Sequence, residues 1–412
     1  MTITETTQYF LYFCSMKANE ETMRFVLEHR EEDVRQLALQ ARRNVNIDLP
    51  WALDQIQGWQ TARHKLPSWA AIDGIVYPPH LSMEQCSSEQ TAIYKCGIIE
   101  RLPESCRAKL VDLTGGFGVD FAYMAKCCGR AVYVERQEHL CETAHHNFDV
   151  LGLNAQVIHG DAEDVLHKLD GDSTSTLLYL DPARRDNNST RTYAIEDCTP
   201  NILELLDLLF KAGRHILLKL SPMLDWHKAV ADLGSHVAEV HIVSLANECK
   251  ELLILLDSAH TGEPTIHCVN DKQSLIYKST QNPGVPEVAT DIDAAYLYEP
   301  NASIMKAGCF GLLTERYPVK ALSADSHLFV SNEEVPDFPG RRFAITTVTA
   351  MNRKEARRAI GGITHANVAV RNFPMSAQEL RKRLGLKDGG ECYIFGTTTA
   401  AKEHIIYICS KL

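Results

Sequence analysis

The chain has 412 residues, 45% of them hydrophobic, enough for two to four globular domains with their own cores. No apolar run approaches the ~18 residues of a membrane span, and no basic segment precedes an apolar stretch near Met1, so a membrane or secreted protein is not expected and a cytoplasmic one is. The net charge of −11 conceals an asymmetry: from residue 340 onward thirteen Lys and Arg stand against five Asp and Glu, near +8, which leaves the remainder near −19.

Residues 19–44 place Met23, Phe25, Val26, Val34, Leu37, Leu39 and Ala41 among many charges, the spacing of one long amphipathic helix or two. A further helix is expected from Trp51 to Lys65, after Pro50, and prolines 67, 78 and 79 then break the pattern. Residues 1–89 therefore read as a helical N-terminal region. The thirteen cysteines contain no C-x-x-C pair and are scattered singly apart from Cys127-Cys128, which fits buried thiols in a reducing compartment and argues against a structural metal or a disulfide framework.

From 90 to 257, strands and helices alternate, the pattern of a doubly wound parallel α/β sheet. Strands are expected near 109–113, 131–135, 156–158, 176–180 and 214–220, with helices near 118–128, 138–151, 161–168 and 198–211. The last two strands, near 236–243 and 250–256, are joined by a connection too short for a crossover helix and should be antiparallel. Residues 258–338 change character, with Gly262, Pro264, Pro283, Gly284, Pro286 and Pro300, and read as a small α+β domain of ferredoxin-like type. Its Tyr298-Glu299-Pro300-Asn301-Ala302 segment reads as a helix entrance and nothing more.

Residues 339–412 follow a strand, helix, strand, helix, strand, strand plan at 343–349, 353–360, 367–371, 376–384, 391–396 and 404–409, with Ser376 and Glu379 forming a capping box. A small basic module on an acidic protein points to a polyanionic partner, RNA being the natural candidate, although a solvated basic face is the plainer alternative.

The most informative segment is Val111-Asp112-Leu113-Thr114-Gly115-Gly116-Phe117-Gly118-Val119-Asp120, a strand that ends on an acid and turns through glycines into a helix. The glycines permit positive φ and let a ligand approach bare backbone, while the helix start offers unpaired N–H groups. A second strand ends on Glu135, at the distance where such folds place an acid for ribose hydroxyls. A third is followed by Gly160-Asp161-Ala162, and a fourth by Asp181-Pro182-Ala183-Arg184-Arg185. In spacing and order these landmarks resemble the class I S-adenosylmethionine-dependent methyltransferases, whose first motif reads D-x-x-x-G-x-G; Phe121 stands where a dinucleotide-binding loop would carry a third glycine. The resemblance implies a Rossmann-like fold, S-adenosylmethionine as cofactor, and contacts to it from Asp112, Thr114, Gly115, Gly116, Gly118, Glu135, Asp161, Ala162 and Asp181. Residues 339–412 resemble the THUMP-like domains found beside RNA-modifying methyltransferases.

The acceptor is open at this level. Attack at a pyrimidine carbon needs a cysteine, which the fourth motif and the Lys219-Leu220-Ser221-Pro222 segment lack, and Cys198 is too far along to substitute. Methylation of a base nitrogen needs hydrogen-bond acceptors for the amine, available from Asp181 and the Pro182 carbonyl, with Arg184 in place of the family's stacking aromatic. Methylation of a ribose 2′-hydroxyl is implied by similarity to a Lys-Asp-Lys-Glu set at Lys95, Asp181, Lys219 and Glu251. Abundant lysines and glutamates make surface pairs an equal reading, and Arg184 and Arg185 as partners of nearby acids another. A methyltransferase of a protein or small molecule, and a non-catalytic RNA-binding protein with a relict fold, are the other classes compatible with the chain. Its oligomeric state is not legible.

Overall fold

The computed structural model describes residues 19–40, 46–169, 172–184, 195–282 and 284–412. The chain divides into two compact units, residues 1–237 with 254–261, and residues 238–253 with 262–412.

The first unit begins with helices α1 (Glu20–His29), α2 (Val34–Gln40) and α3 (Leu49–Lys65). The expected long helix is two because Asp33 accepts from Gln36 N–H at 2.9 Å and starts a new helix after the chain bends. Residues 41–44 of that expectation lie outside the described residues. Val26, Leu37, Ala52 and Ile56 form the small core between these helices. An extended segment at 74–77 then ties this region to the sheet layer. Gln55 exchanges two hydrogen bonds with the Tyr77 backbone, and Asn147 exchanges two with Val76, all between 2.8 and 2.9 Å.

Five parallel strands follow: β1 (Lys109–Asp112), β2 (Arg130–Glu135), β3 (Ala155–His159), β4 (Thr176–Leu180) and β5 (His215–Leu220). β1 lies between β2 and β4, β3 pairs with β2, and β5 pairs with β4. β4 and β5 are buried along their whole length, which is why they read as mainly apolar runs rather than alternating ones, with Thr176, His215 and Lys219 as buried polar members. The crossover helices are α5 (Val119–Met124), α6 (Glu138–Val150), α7 (Ala162–Leu166) and α8 (Ile202–Ala212), and a helix before β1, α4 (Glu89–Glu100), packs against α5.

One expectation fails here. Cys96 on α4 and Cys127, in the turn that ends α5, are joined in a disulfide across 31 residues. Helix packing, not sequence spacing, brings the thiols together, so no motif announces the pair.

Val237–Leu245 and Glu248–Asp257, most of whose residues belong to the second unit, are neighbouring strands joined by Ala246 and Asn247, both with positive φ (48° and 63°), a tight two-residue hairpin turn. Residues 265–278, which the sequence reading groups with the small α+β segment, form a hairpin whose first strand, Thr265–Asn270, pairs in parallel with Val237–Leu245. A separate seven-stranded sheet places Tyr296–Pro300 beside Gly340–Ala350, which in turn pairs with His404–Lys411. Residues either side of 339 thus share one sheet. Helices Arg353–Ile360 and Ala377–Leu384 pack together over it through Ala356, Ile360, Leu380, Leu384 and Ile394, and the Ser376–Glu379 capping box forms as expected.

The segment read as a bare helix entrance does more than start a helix. Asn301 caps Ala302–Ala307 by accepting from Ile304 N–H, but the buried Glu299 also accepts from Arg341 and from Arg371, so a single carboxylate ties three strands together.

Candidate active site

The glycine loop is shaped by its own polar groups and by aromatic packing beneath it. Asp112, buried at the end of β1, accepts from Thr114 N–H at 2.9 Å, and the Thr114 hydroxyl accepts from Asp181 N–H at 2.6 Å, which fastens the end of β4 to the loop after β1. Burial pushes the Asp112 carboxyl up. Gly116 and Gly118 have φ of +57° and +81°. A side chain at Gly115 would lie 2.1 Å from the Tyr133 ring and one at Gly118 2.9 Å from Phe148, whereas one at Gly116 would meet nothing nearer than 3.8 Å. Two of the three glycines therefore answer to packing, and Gly116 alone presents open backbone. From above, Phe117 packs edge-on against Trp69 and is also close to Tyr77.

Glu135, at the end of β2, accepts from Gly116 N–H with one oxygen (2.8 Å) and from Gln137 N–H with the other (2.9 Å), which leaves each oxygen further acceptor capacity. The Glu135 carbonyl accepts from Gly160 N–H (3.0 Å), so Asp161 follows at the next strand end. Asp161 is exposed at the N-cap of α7, makes no side-chain capping bond there, and Ala162 after it is buried. Asp112, Thr114, Gly115, Gly116, Gly118, Glu135, Asp161, Ala162 and Asp181 are thus assembled at the carboxyl ends of neighbouring parallel strands, where open α/β sheets hold ligands. An open glycine and two strand-end carboxylates with acceptor capacity suit an adenosyl ligand.

Beside this loop is an alternating row of charges. Lys95 on α4, with no exposed surface, lies 3.0 Å from Asp120 Oδ1; Lys219 on β5 lies 3.6 Å from Asp120 Oδ2 and 2.5 Å from Asp181 Oδ2. Ser87 and Tyr179 each donate a hydroxyl hydrogen bond to Asp120 at 2.7 Å. Burial alone would raise Asp120, but the Lys95 and Lys219 ammonium groups and the two hydroxyls hold it well below the usual carboxylate range. Packing around Asp181 raises its carboxyl, against the lowering effect of Lys219, although 39% of its side chain remains open to solvent.

Three members of the expected Lys-Asp-Lys-Glu set therefore meet, joined by Asp120. Sequence reasoning missed Asp120 because an acid in the first turn of a helix is ordinary; its place between two buried lysines is visible only in the fold. Glu251 is buried on Glu248–Asp257 and belongs to the second unit. Pro182 is buried, and Ala183–Arg184 pair with Cys198–Thr199, so Cys198 lies opposite Arg184 despite its distance along the chain; its own surface is 4% exposed. The side chain of Arg184, and all of Arg185, lie outside the described residues.

A parallel sheet of this order, with a glycine loop after its central strand and acids at the following strand ends, defines a class I methyltransferase. Comparisons agree. The chain is 31% identical to a protein from Porphyromonas gingivalis W83, assigned as a methyltransferase and known from a crystal structure, with a TM-score of 0.83 over 95% of this chain and 97% of that one. It is 24% identical over 282 residues to an uncharacterized S-adenosylmethionine-dependent methyltransferase of Mycobacterium tuberculosis (strain ATCC 25618 / H37Rv), covering 67% of this chain and 73% of the relative. Residues 296–339 match a ferredoxin-like domain family and residues 340–411 a THUMP domain-like family. The chain belongs to the S-adenosylmethionine-dependent methyltransferases of class I that carry ferredoxin-like and THUMP-like domains.

Proposed function

We propose that the protein methylates RNA, and that the acceptor is a nitrogen of a base. The observation that carries this reading is the Asp120 carboxylate, which pairs with Lys95 at 3.0 Å and with Lys219 at 3.6 Å. A ribose 2′-hydroxyl needs a base strong enough to take its proton, which in a lysine-dependent mechanism is a neutral amine. Here both lysines are engaged in ion pairs with an anion held ionised far below neutrality, the arrangement of structural cations rather than of a proton acceptor. Asp181 is the better acceptor. Its carboxyl is raised from the usual range and partly open, and together with the Pro182 carbonyl it can accept hydrogen bonds from an exocyclic amine and receive the proton released after transfer.

S-adenosylmethionine would be held by Glu135 and Asp161 through its ribose and adenine over the space left free of a side chain at Gly116, with Asp112 and Thr114 fixing the loop; when bound it supplies an electrophilic methyl group. The row Lys95, Asp120, Lys219, Asp181 then sets the position and charge of the acceptor carboxylate, and positioning is most of what an in-line displacement requires.

RNA as the substrate is supported by the basic module. Arg357 and Arg383 line one small cleft between helices Arg353–Ile360 and Ala377–Leu384, with Lys354, Arg358 and Lys382 exposed on the same pair of helices. Guanidinium groups so placed suit phosphate. The test is transfer of labelled methyl from S-adenosylmethionine to unmodified RNA by the full-length protein. Label in RNA that is lost in Asp181→Asn supports the proposal; label only in protein or in a small metabolite overturns it.

A further inference from the structure

We infer that Glu239, His241 and His267 form a binding site for one divalent first-row transition ion of the zinc class. It lies within the second unit, independent of the methyl-transfer row. Strands Val237–Leu245 and Thr265–Asn270 are parallel, with His241 directly opposite His267. Glu239 lies two residues before His241 and so projects from the same face of the sheet.

The two imidazole rings are stacked, 4.2 Å between centroids and 21° from parallel. Both ring Nε2 atoms face one carboxylate oxygen of Glu239, at 2.8 Å from His241 and 3.6 Å from His267, and all three donor atoms lie within 4.8 Å of one another. In a tetrahedral zinc site with bonds of roughly 2.0–2.1 Å, neighbouring donors are about 3.3–3.4 Å apart. The observed separations bracket that value, so small side-chain adjustments would close the set around an ion.

Solvent access is graded along the cluster. The His241 side chain has no exposed surface, His267 has 12% and Glu239 26%. An ion would thus reach the site from the glutamate side and keep one position for water. Two imidazoles and one carboxylate suit zinc and its first-row neighbours, whereas magnesium and calcium prefer oxygen donors alone. The site departs from the expectation of a metal-free chain, because its two histidines stand 26 residues apart on different strands and match no compact ligand motif. Among the described residues the other grouping of this kind, Cys96, Glu100 and Cys127, has its thiols committed to the disulfide.

Chelator-treated full-length protein, titrated with Zn²⁺ and separately with Mg²⁺, should bind one equivalent of zinc and no magnesium at the same concentrations, with an accompanying rise in thermal midpoint. Co²⁺ in place of zinc should show visible absorption without a thiolate charge-transfer band. Zinc affinity should fall by more than roughly tenfold, the lower end of what even outer-shell changes cost, in His267→Gln and in Glu239→Gln. The second substitution keeps the shape of the side chain and one acceptor oxygen while removing the charge, so loss of binding there with an unchanged circular dichroism spectrum separates ligation from folding. No zinc equivalent in the unaltered protein, a thiolate band with cobalt, or undiminished affinity in both variants would overturn the proposal and leave a carboxylate shared by two imidazoles.

Discussion

Asp120 is the residue on which the active-site electrostatics turn. It is a buried anion between two cations, so its removal takes away the carboxylate that Lys95 pairs with at 3.0 Å and leaves Lys219 to Asp181. Asp120→Asn should cost about 3–5 kcal/mol of stability near neutrality, measured by denaturant titration. The pH dependence has a definite sign. The folded-state pKa of Asp120 lies below its unfolded value near 4, so its contribution is present above about pH 4 and is lost as pH falls below it. The stability gap between the unaltered protein and Asp120→Asn should therefore narrow in acid; a gap independent of pH would show that the ion pairs do not carry it. Asp181 shifts in the opposite sense. Lys219 counters the rise in its pKa, so Lys219→Gln should move the acid limb of the single-turnover rate profile to higher pH, and an unmoved limb would separate Asp181 from the proton transfer.

At the scale of elements, the glycine loop was legible and its reasons only partly so. The D-x-x-x-G-x-G spacing located the strand, the turn and the helix, and the acids at 135, 161 and 181 fell where alternating strands end. What no spacing conveys is that Gly115 and Gly118 make room for Tyr133 and Phe148. The two kinds of glycine should separate in experiment. Gly115→Ala forces a methyl onto a buried ring and should cost about 1–3 kcal/mol. Gly116→Ala meets open space, pays about 1–2 kcal/mol for its left-handed backbone, and should lose S-adenosylmethionine affinity out of proportion to stability, read by calorimetric titration. The N-terminal helices had no readable role. Trp69 and Tyr77 against Phe117, with the side-chain amides of Gln55 and Asn147 on segment 74–77, make them a brace for the loop. Trp69→Ala should accordingly weaken cofactor binding as well as cost about 3–5 kcal/mol of stability.

At the scale of the whole molecule, alternation of strands and helices and the shift to basic composition after residue 340 were enough for the fold class and for the plan of the C-terminal module. Periodicity and capping residues are local, and local signals survive in one dimension. The seven-stranded sheet that spans residue 339, the disulfide, and the meeting of Lys95, Asp120, Asp181 and Lys219 depend on segments as far apart as the 124 residues between Lys95 and Lys219, and nothing local encodes them. The charge asymmetry has its own consequence. RNA affinity should fall steeply with salt, and Arg357→Ala or Arg383→Ala should each lower the slope of log affinity against log salt by about one, uniformly across sequences. The central claim is tested most directly by digesting RNA methylated with labelled S-adenosylmethionine to nucleosides and locating the label by mass spectrometry. A methyl group on a base nitrogen, absent with Asp181→Asn, is the expected result; a methyl on the ribose oxygen, or an RNA pool without label, would contradict the account.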